Sequence, residues 1–110
     1  MKTFLFGLLL FSCSNLRSQK IFSCDYRSDA EIKVWVSKYQ SDADLIVYQT
    51  TWKSEADKNE GIWYFTDWRG EADKRIYFTD WKSEADLVIY FTKTRSMAGW
   101  IKKHKKQLLY

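Results

Sequence analysis

In this 110-residue chain, the residues best suited to chemistry are carboxylates. They recur in pairs, with one residue between the two members of each pair. Regularly spaced oxygen ligands suit Ca²⁺, and two carboxylates facing each other across a cleft hydrolyse glycosidic bonds. We favour neither use, because one member of each pair fits a helix cap and a neighbouring column of Lys and Arg offers salt bridges. The pairs are Asp42/Asp44, Glu55/Asp57, Glu71/Asp73 and Glu84/Asp86.

The only histidine, His104, lies within a run of lysines. Neighbouring positive charge disfavours an imidazolium, and no carboxylate stands near it in sequence to orient the ring. A Ser-His-Asp or Cys-His arrangement would have to use this residue. The chain also has no Cys/His cluster for zinc and no Gly-rich phosphate loop. We therefore predict that the protein is not an enzyme and has no catalytic residues, no cofactor and no metal site.

Positive charge is concentrated at the end of the chain. Residues 93–110 carry six basic and no acidic side chains, whereas residues 21–92 carry nine basic and 14 acidic ones. The tail is suited to an anionic cell-surface component or envelope protein, and nucleic acid is not expected. The alternative is that it folds back onto the acidic body, since tethered opposite charges meet at high effective concentration. The candidate polyanion-binding residues are Lys102, Lys103, Lys105 and Lys106.

Aromatic residues make up 18% of the chain and recur in two columns at a fixed spacing. One column is Phe22, Trp35, Tyr48, Tyr64, Tyr77 and Tyr90, and a second set follows it four residues later in five of the six copies. Rings exposed in a row bind sugars or single-stranded bases, whereas buried rings contribute large apolar areas to a core. For a small protein we expect these side chains to be core, with carbohydrate binding by exposed Trp and Tyr columns as an alternative. The second set is Tyr26, Tyr39, Trp52, Trp68 and Trp81.

The carboxylate pairs and the aromatic residues belong to an internal repeat of 13 residues. The spacing is broken once, by the insertion Asn59-Glu60-Gly61. Each copy opens with β-branched and aromatic residues that predict a strand, and closes with a phrase such as Ser83 to Asp86 that fits a capping box on a single helical turn. The alanine of the closing phrase stands at Ala30, Ala43, Ala56, Ala72, Ala85 and Ala98.

The predicted strands carry large apolar groups on both faces, so both faces must be covered. Only about seven residues separate consecutive strands, fewer than an ordinary parallel crossover requires, so the units must either hairpin back or cross a neighbour at a steep angle. Cys24 occupies a column otherwise filled by Ser and Thr, and we predict a small buried side chain there. The predicted fold is a mainly β, compact single domain with single-turn helical caps, and we expect a monomer.

Residues 1–18 have a short positive start and an apolar run that predict a secretory signal peptide. Leu10-Phe11-Ser12-Cys13 resembles a lipoprotein signal ending before Cys13, which makes that cysteine a candidate for lipidation. Cleavage after Ser14, or nearer Gln19, is the competing interpretation. We expect an extracytoplasmic protein, secreted, periplasmic or surface-anchored, with the membrane touched only through such a lipid. The predicted division is 1–18 signal, 21–101 repeat domain and 102–110 basic tail.

The repeat resembles the septoil-knot domain family of small exported bacterial proteins, which has no assigned function. The resemblance spans 21–110 and is carried by IFSCDYRSDAEIKVWV, DADLIVY, GIWYFTDWRGEADKRIYFTDWKSEADLVIYFT and AGWIKKHKKQLLY. It implies a backbone tied in a seven-crossing torus knot. The connections of a protein chain almost never pass through a loop of the same chain. A torus knot nevertheless arises when two halves of a chain wind regularly about each other.

The family resemblance carries no active site. The sequence therefore predicts a non-enzymatic exported structural or binding module that is stabilised by a knotted repeat fold. Polyanion binding by the tail and carbohydrate binding by the aromatic columns are the alternatives. Function is expected where the copies differ: at the insertion, in the sixth copy, where Met97 replaces the acid, and in the lysine tail.

Overall fold

In a computed structural model, which describes residues 19–110, six parallel strands close into a barrel. Each strand opens one copy of the repeat, as the β-branched and aromatic columns predict. A seventh, two-residue strand follows the sixth copy. The strands are β1 (Lys20–Ser23), β2 (Ile32–Val36), β3 (Leu45–Gln49), β4 (Ile62–Phe65), β5 (Lys74–Phe78), β6 (Leu87–Thr92) and β7 (Gly99–Trp100).

The strand order is β4-β1-β5-β2-β6-β3, and β3 pairs back with β4 to close the sheet. All six pairings are parallel. Strands of the first half of the chain, β1 to β3, alternate around the barrel with strands of the second half, β4 to β6. The two halves therefore wind about each other, as the family resemblance implies.

Except for the connection between β3 and β4, each connection arches over the outer face of the strand that separates its two ends. The arch between β1 and β2 shows this: the Cys24 amide donates to the Ile76 carbonyl at 2.7 Å on one side of β5, and the Glu31 amide donates to the Arg75 carbonyl at 2.8 Å on the other. Between these points the Arg27 guanidinium lies 5.7 Å from the centre of the outward-facing Tyr77 ring. The units therefore cross their neighbours, and the hairpin alternative is wrong.

Six arches, numbered by the strand they follow, each contain a single 3₁₀ turn. The predicted capping box is wrong. In the fifth arch the turn starts after Trp81, so Ser83 lies inside it and no side chain caps it. The carboxylate of Asp86 binds elsewhere, since it accepts a hydrogen bond from the Lys33 amide in β2. The turns are Arg27–Asp29, Gln40–Asp42, Lys53–Glu55, Arg69–Glu71, Lys82–Glu84 and Arg95–Met97.

The barrel interior is filled by one residue from each strand, all fully buried, and flanked by further apolar layers. The neighbouring column of the strands faces outward, half-buried beneath the arches. Both strand faces are thus covered, as predicted. The central residues are Ile21, Val34, Val47, Trp63, Ile76 and Ile89.

The three-residue insertion lets β4 start directly beside β3, whereas each of the other connections passes over one strand before the next strand begins. The same edge of β3 pairs with β4 at Tyr48 and Gln49 and, antiparallel, with β7 at Leu45 and Ile46. Gly61 lies at this junction with φ +88°, a conformation that favours glycine. The insertion therefore closes the sheet.

Candidate functional site

The five aromatic side chains expected in the core lie on the surface, so that prediction is wrong. We call them the aromatic belt: Tyr26, Tyr39, Trp52, Trp68 and Trp81, each between 64% and 73% exposed. They stand five positions after the central core residues, where the chain has already left the sheet to cross a neighbour. The barrel interior is filled by side chains that come earlier in each repeat, so no space remains there for these rings. Each of the five directly precedes the 3₁₀ turn of its arch.

The arches lie side by side around the barrel, so the belt encircles it. In the order of the strands beneath, the belt position is occupied by Tyr26, Trp81, Tyr39, Thr94, Trp52 and Trp68. Thr94, in the sixth copy, is the one position without a ring. Five nearly equivalent aromatic sites therefore face outward in different directions.

A buried hydroxyl fixes the backbone at the Trp positions. The Thr66 hydroxyl accepts a hydrogen bond from the Trp68 amide at 3.1 Å and donates to the Glu71 carboxylate at 2.6 Å. This replaces the predicted serine cap and explains the Ser/Thr column. The same pattern holds for Thr50 with Trp52 and Glu55, and for Thr79 with Trp81 and Glu84.

Cys24 occupies this column in the first copy and is buried, as predicted. Its thiol donates to the Asp29 carbonyl at 3.6 Å. Burial is the main influence on this thiol and raises its pKa, which keeps the side chain protonated and unreactive near neutral pH. The cysteine is therefore a small structural side chain in the place of a hydroxyl.

Ion pairs join neighbouring arches in the same rotational sense around the barrel. A base in one turn pairs with an acid in the next, as in Arg95 with Glu55 at 2.7 Å. The chain of pairs is interrupted between the second and sixth arches, where Gln40 and Met97 occupy the two positions. The other pairs are Arg27–Glu84, Lys82–Asp42, Lys53–Glu71 and Arg69–Asp29.

These contacts leave two acids of the arches, Glu55 and Glu71, poorly suited to general acid catalysis. The Thr50 hydroxyl and then Arg95 lower the pKa of Glu55, while Lys53 and then Thr66 lower that of Glu71. A general acid at neutral pH needs a raised pKa. Within residues 19–110 no three His, Cys, Asp or Glu side chains are grouped as a metal would require.

The second acid of the phrase secures the start of a neighbouring strand. Asp73 accepts from the Lys20 amide at 3.0 Å, and Asp86 from the Lys33 amide at 2.8 Å. Asp44 does the same for the Val88 amide at 2.9 Å and is almost wholly buried. Three of the four carboxylate pairs are thus divided between two structural tasks, one in the arch and one at a neighbouring strand. Asp57 makes no such strand contact within residues 19–110.

The belt borders one open cleft, of about 520 Å³, beside the third arch. Its lining combines the exposed indole of Trp52 with ammonium, hydroxyl and carboxylate groups. Such a mixture suits a polar ligand with an apolar face. The other lining residues are Lys20, Lys53, Ser54, Ala56 and Asp57.

The structure divides the four candidate lysines of the tail. Lys102 and Lys105 bind the buried Asp44 carboxylate at 3.2 and 3.1 Å, so for them the fold-back alternative is confirmed. Lys103 and Lys106 line a separate cleft. The tail is a 3₁₀ helix, Lys103–Leu109, whose Leu109 joins the core.

The predicted signal peptide and Cys13 lie outside the described residues. In the part of the chain that the structure describes, no helix has the length and hydropathy to cross a membrane.

Comparison with known proteins returns no matching curated protein and no matching solved structure. The family comparison agrees with the interleaved sheet. Residues 18–101 match the 7(1) septoil knot domain, which confirms the family resemblance and the mainly β repeat fold. The chain belongs to the septoil knot domain family.

Proposed function

We propose that this protein is a non-enzymatic, exported binding module whose aromatic belt binds neutral carbohydrate chains. The observation that carries the proposal is the exposure of five Trp and Tyr side chains, 64–73% each, at one position of the repeat. Export is inferred from the pattern of residues 1–18. The knotted barrel supplies a rigid scaffold for the belt.

Exposed aromatic side chains are the natural partners of sugar rings. One face of a pyranose carries several C–H groups, and such a face stacks on an indole or phenol ring while the sugar hydroxyls keep their contact with water. Single exposed apolar residues are common on proteins, but a recurrent set of large rings marks an interaction surface. The Thr66 hydroxyl and its equivalents hold the backbone at the three Trp positions, so little ordering is required on binding.

The charge of the arches favours a neutral ligand. Each base within a 3₁₀ turn, such as Arg69 or Lys82, already pairs with an acid of the adjacent arch. A polyanion would have to compete with these pairs, whereas a neutral sugar leaves them in place. The polyanion alternative from the sequence is weakened further because Lys102 and Lys105 already bind Asp44.

Five outward-facing sites also favour a polymer over a short sugar. Each site has few contacts, but a polysaccharide that engages more than one site gains from the effective concentration of the rest. We therefore expect weak binding of short oligosaccharides and much tighter retention by long or insoluble chains.

The test is retention of the purified chain on insoluble neutral polysaccharides, namely cellulose, chitin and a β-1,3-glucan. We expect at least one to retain the wild type, with little effect of salt, and the triple variant Trp52→Ala/Trp68→Ala/Trp81→Ala to lose retention with an unchanged circular dichroism spectrum. Ile101→Ala, which removes an apolar side chain 46% exposed outside the belt, is the control. Retention of the triple variant at the wild-type level, or of the wild type by none of the three, would refute the proposal.

A further inference from the structure

The C-terminal segment contains two lysine pairs with the same spacing, displaced by one residue. Side chains three apart align on one side of a 3₁₀ helix. Lys102 and Lys105 form the first pair, and together they hold one carboxylate: the Lys102 ammonium lies 3.2 Å from Oδ1 of Asp44 and the Lys105 ammonium 3.1 Å from Oδ2. Two ammonium groups at this spacing therefore match the two oxygens of a single carboxylate.

The second pair, Lys103 and Lys106, has the same spacing and lines a cleft of about 290 Å³. Within residues 19–110 neither of these lysines forms an ion pair. Glu60, from the insertion, lines the same cleft but lies beyond salt-bridge distance of both. Two positive groups thus border a concave site in which neither is paired with a carboxylate of residues 19–110, although Glu60 lies in the lining.

The walls of this cleft are fixed by hydrogen bonds. The Trp100 indole N–H donates to the Asn59 backbone carbonyl at 3.1 Å and to its side-chain oxygen at 3.2 Å. The Asn59 amide in turn donates to the Lys106 carbonyl at 2.9 Å. Over Gly99 there is open space, because a Cβ placed there would meet no atom within 4 Å. The insertion and the tail therefore build one preformed site with room above the main chain.

We propose that this cleft binds a small organic anion. A carboxylate or phosphate group lies between Lys103 and Lys106, as Asp44 lies between Lys102 and Lys105, and the apolar part of the ligand packs against Trp100 and Ala98. The volume is near the lower end of small-molecule pockets, which hold about 300–1,000 Å³. Glu60 adds a negative charge that disfavours polyanions, so the site prefers a single anionic group. The cleft is separate from the aromatic belt and its ligand.

The experiment is a titration of the ¹⁵N-labelled chain with sodium benzoate and, separately, with inorganic phosphate, following the Trp100 indole N–H resonance. We expect saturable shifts with at least one probe. Lys103→Gln/Lys106→Gln should weaken binding about tenfold or more, because both charge-assisted hydrogen bonds to the anion are lost. Glu60→Gln should strengthen it. Lys38→Gln/Lys93→Gln, which removes two exposed lysines outside the cleft, is the matched charge control.

Response to benzoate alone assigns a carboxylate ligand, and response to phosphate alone a phosphoryl group. Both outcomes support the site. Absence of a saturable shift with both probes would overturn the proposal. Equal weakening by the control pair would also overturn it, because the effect would then follow net charge and not the cleft. Polysaccharide retention is unaffected by these variants if the two sites are independent.

Discussion

The Lys105 ammonium donates to the Asp44 carboxylate at 3.1 Å, although 61 residues separate them in the chain. The carboxylate is almost wholly buried and also accepts from the Val88 amide. One side chain thus fastens the start of β3, the start of β6 and the C-terminal helix. This joint makes the acidic body and the basic tail one structural unit.

Asp44→Asn tests that joint through its pH dependence. Burial alone would raise the pKa of Asp44, but the Val88 amide and the two ammonium groups together hold the pKa below its ordinary value of 3.8. The stability contributed by such a group is complete above the ordinary pKa and is lost as pH falls through the folded pKa. We expect the variant to lose about 2 kcal/mol at pH 7, by urea denaturation, because a hydrogen-bonded charge is removed.

The difference in unfolding free energy between wild type and Asp44→Asn should shrink as pH falls below about 4, where the wild-type carboxylate is progressively protonated. A difference that stays constant from pH 7 to below the folded pKa would contradict the charge-based account. Asp73→Asn is the matched control, because Asp73 makes the equivalent strand contact at a more exposed position.

Gly61→Ala should destabilise the fold by about 3 kcal/mol, combining the cost of a left-handed backbone with a steric clash. The added methyl group would collide with the Ile46 carbonyl and lie 2.9 Å from the Gly99 nitrogen. Gly70→Ala is the matched control, since nothing lies within 4 Å of the added Cβ. Urea denaturation checks both variants. Equal effects at the two glycines would show that the junction between β3, β4 and β7 tolerates a side chain.

Thr66→Val should cost about 1–2 kcal/mol of unfolding free energy, because it leaves the Trp68 amide and the Glu71 carboxylate without their shared hydroxyl. The change preserves side-chain shape, so packing is conserved. Thr51→Val, at an exposed position next to the equivalent threonine of the third copy, should change stability by less than about 0.5 kcal/mol. If Thr66→Val changes the free energy of unfolding as little as Thr51→Val does, the Thr66 hydroxyl does not stabilise the arch.

The double variant Gln40→Lys/Met97→Glu should complete the ring of ion pairs between arches. The expected gain is below about 1 kcal/mol, because exposed pairs contribute little and are screened by salt. Thermal unfolding at low and at 1 M salt, compared with each single variant, measures the coupling. A coupling that is absent at low salt would show that the second and sixth arches are not aligned like the others.

The strands of this fold are predictable from the sequence because a 13-residue period and dense β-branched columns leave few alternatives. Lys82 pairs with Asp42 of another arch, and this partner is set by the strand order around the barrel. The period does not encode that order, since identical repeats are compatible with several orders. The exposure of Trp81 was not predictable for the same reason. A recurrent aromatic residue suggests a core position, and only the path of the arch over β2 shows that Trp81 lies outside the barrel.

The lysine tail shows a related limit. Its charge and its affinity for the acidic body are evident in the sequence, but its division into two pairs is not. The division depends on a 3₁₀ helix, which has three residues per turn and places Lys105 one turn after the N-cap residue Lys102. An α-helix would have brought Lys106 as well as Lys105 to the side of Lys102. The burial of Asp44 could not be predicted either, because Asp42, two residues earlier, is the same residue type and is exposed.

The alternation of the two halves around the barrel has a consequence for the order of events in folding. Every strand pairing joins residues of 20–49 to residues of 62–100. The first half of the chain therefore has no sheet partner of its own and stays without native β-structure until the second half is present. Contact order is high, which predicts slow folding. During synthesis, therefore, the barrel can begin to form only once strands of the second half of the chain have been made.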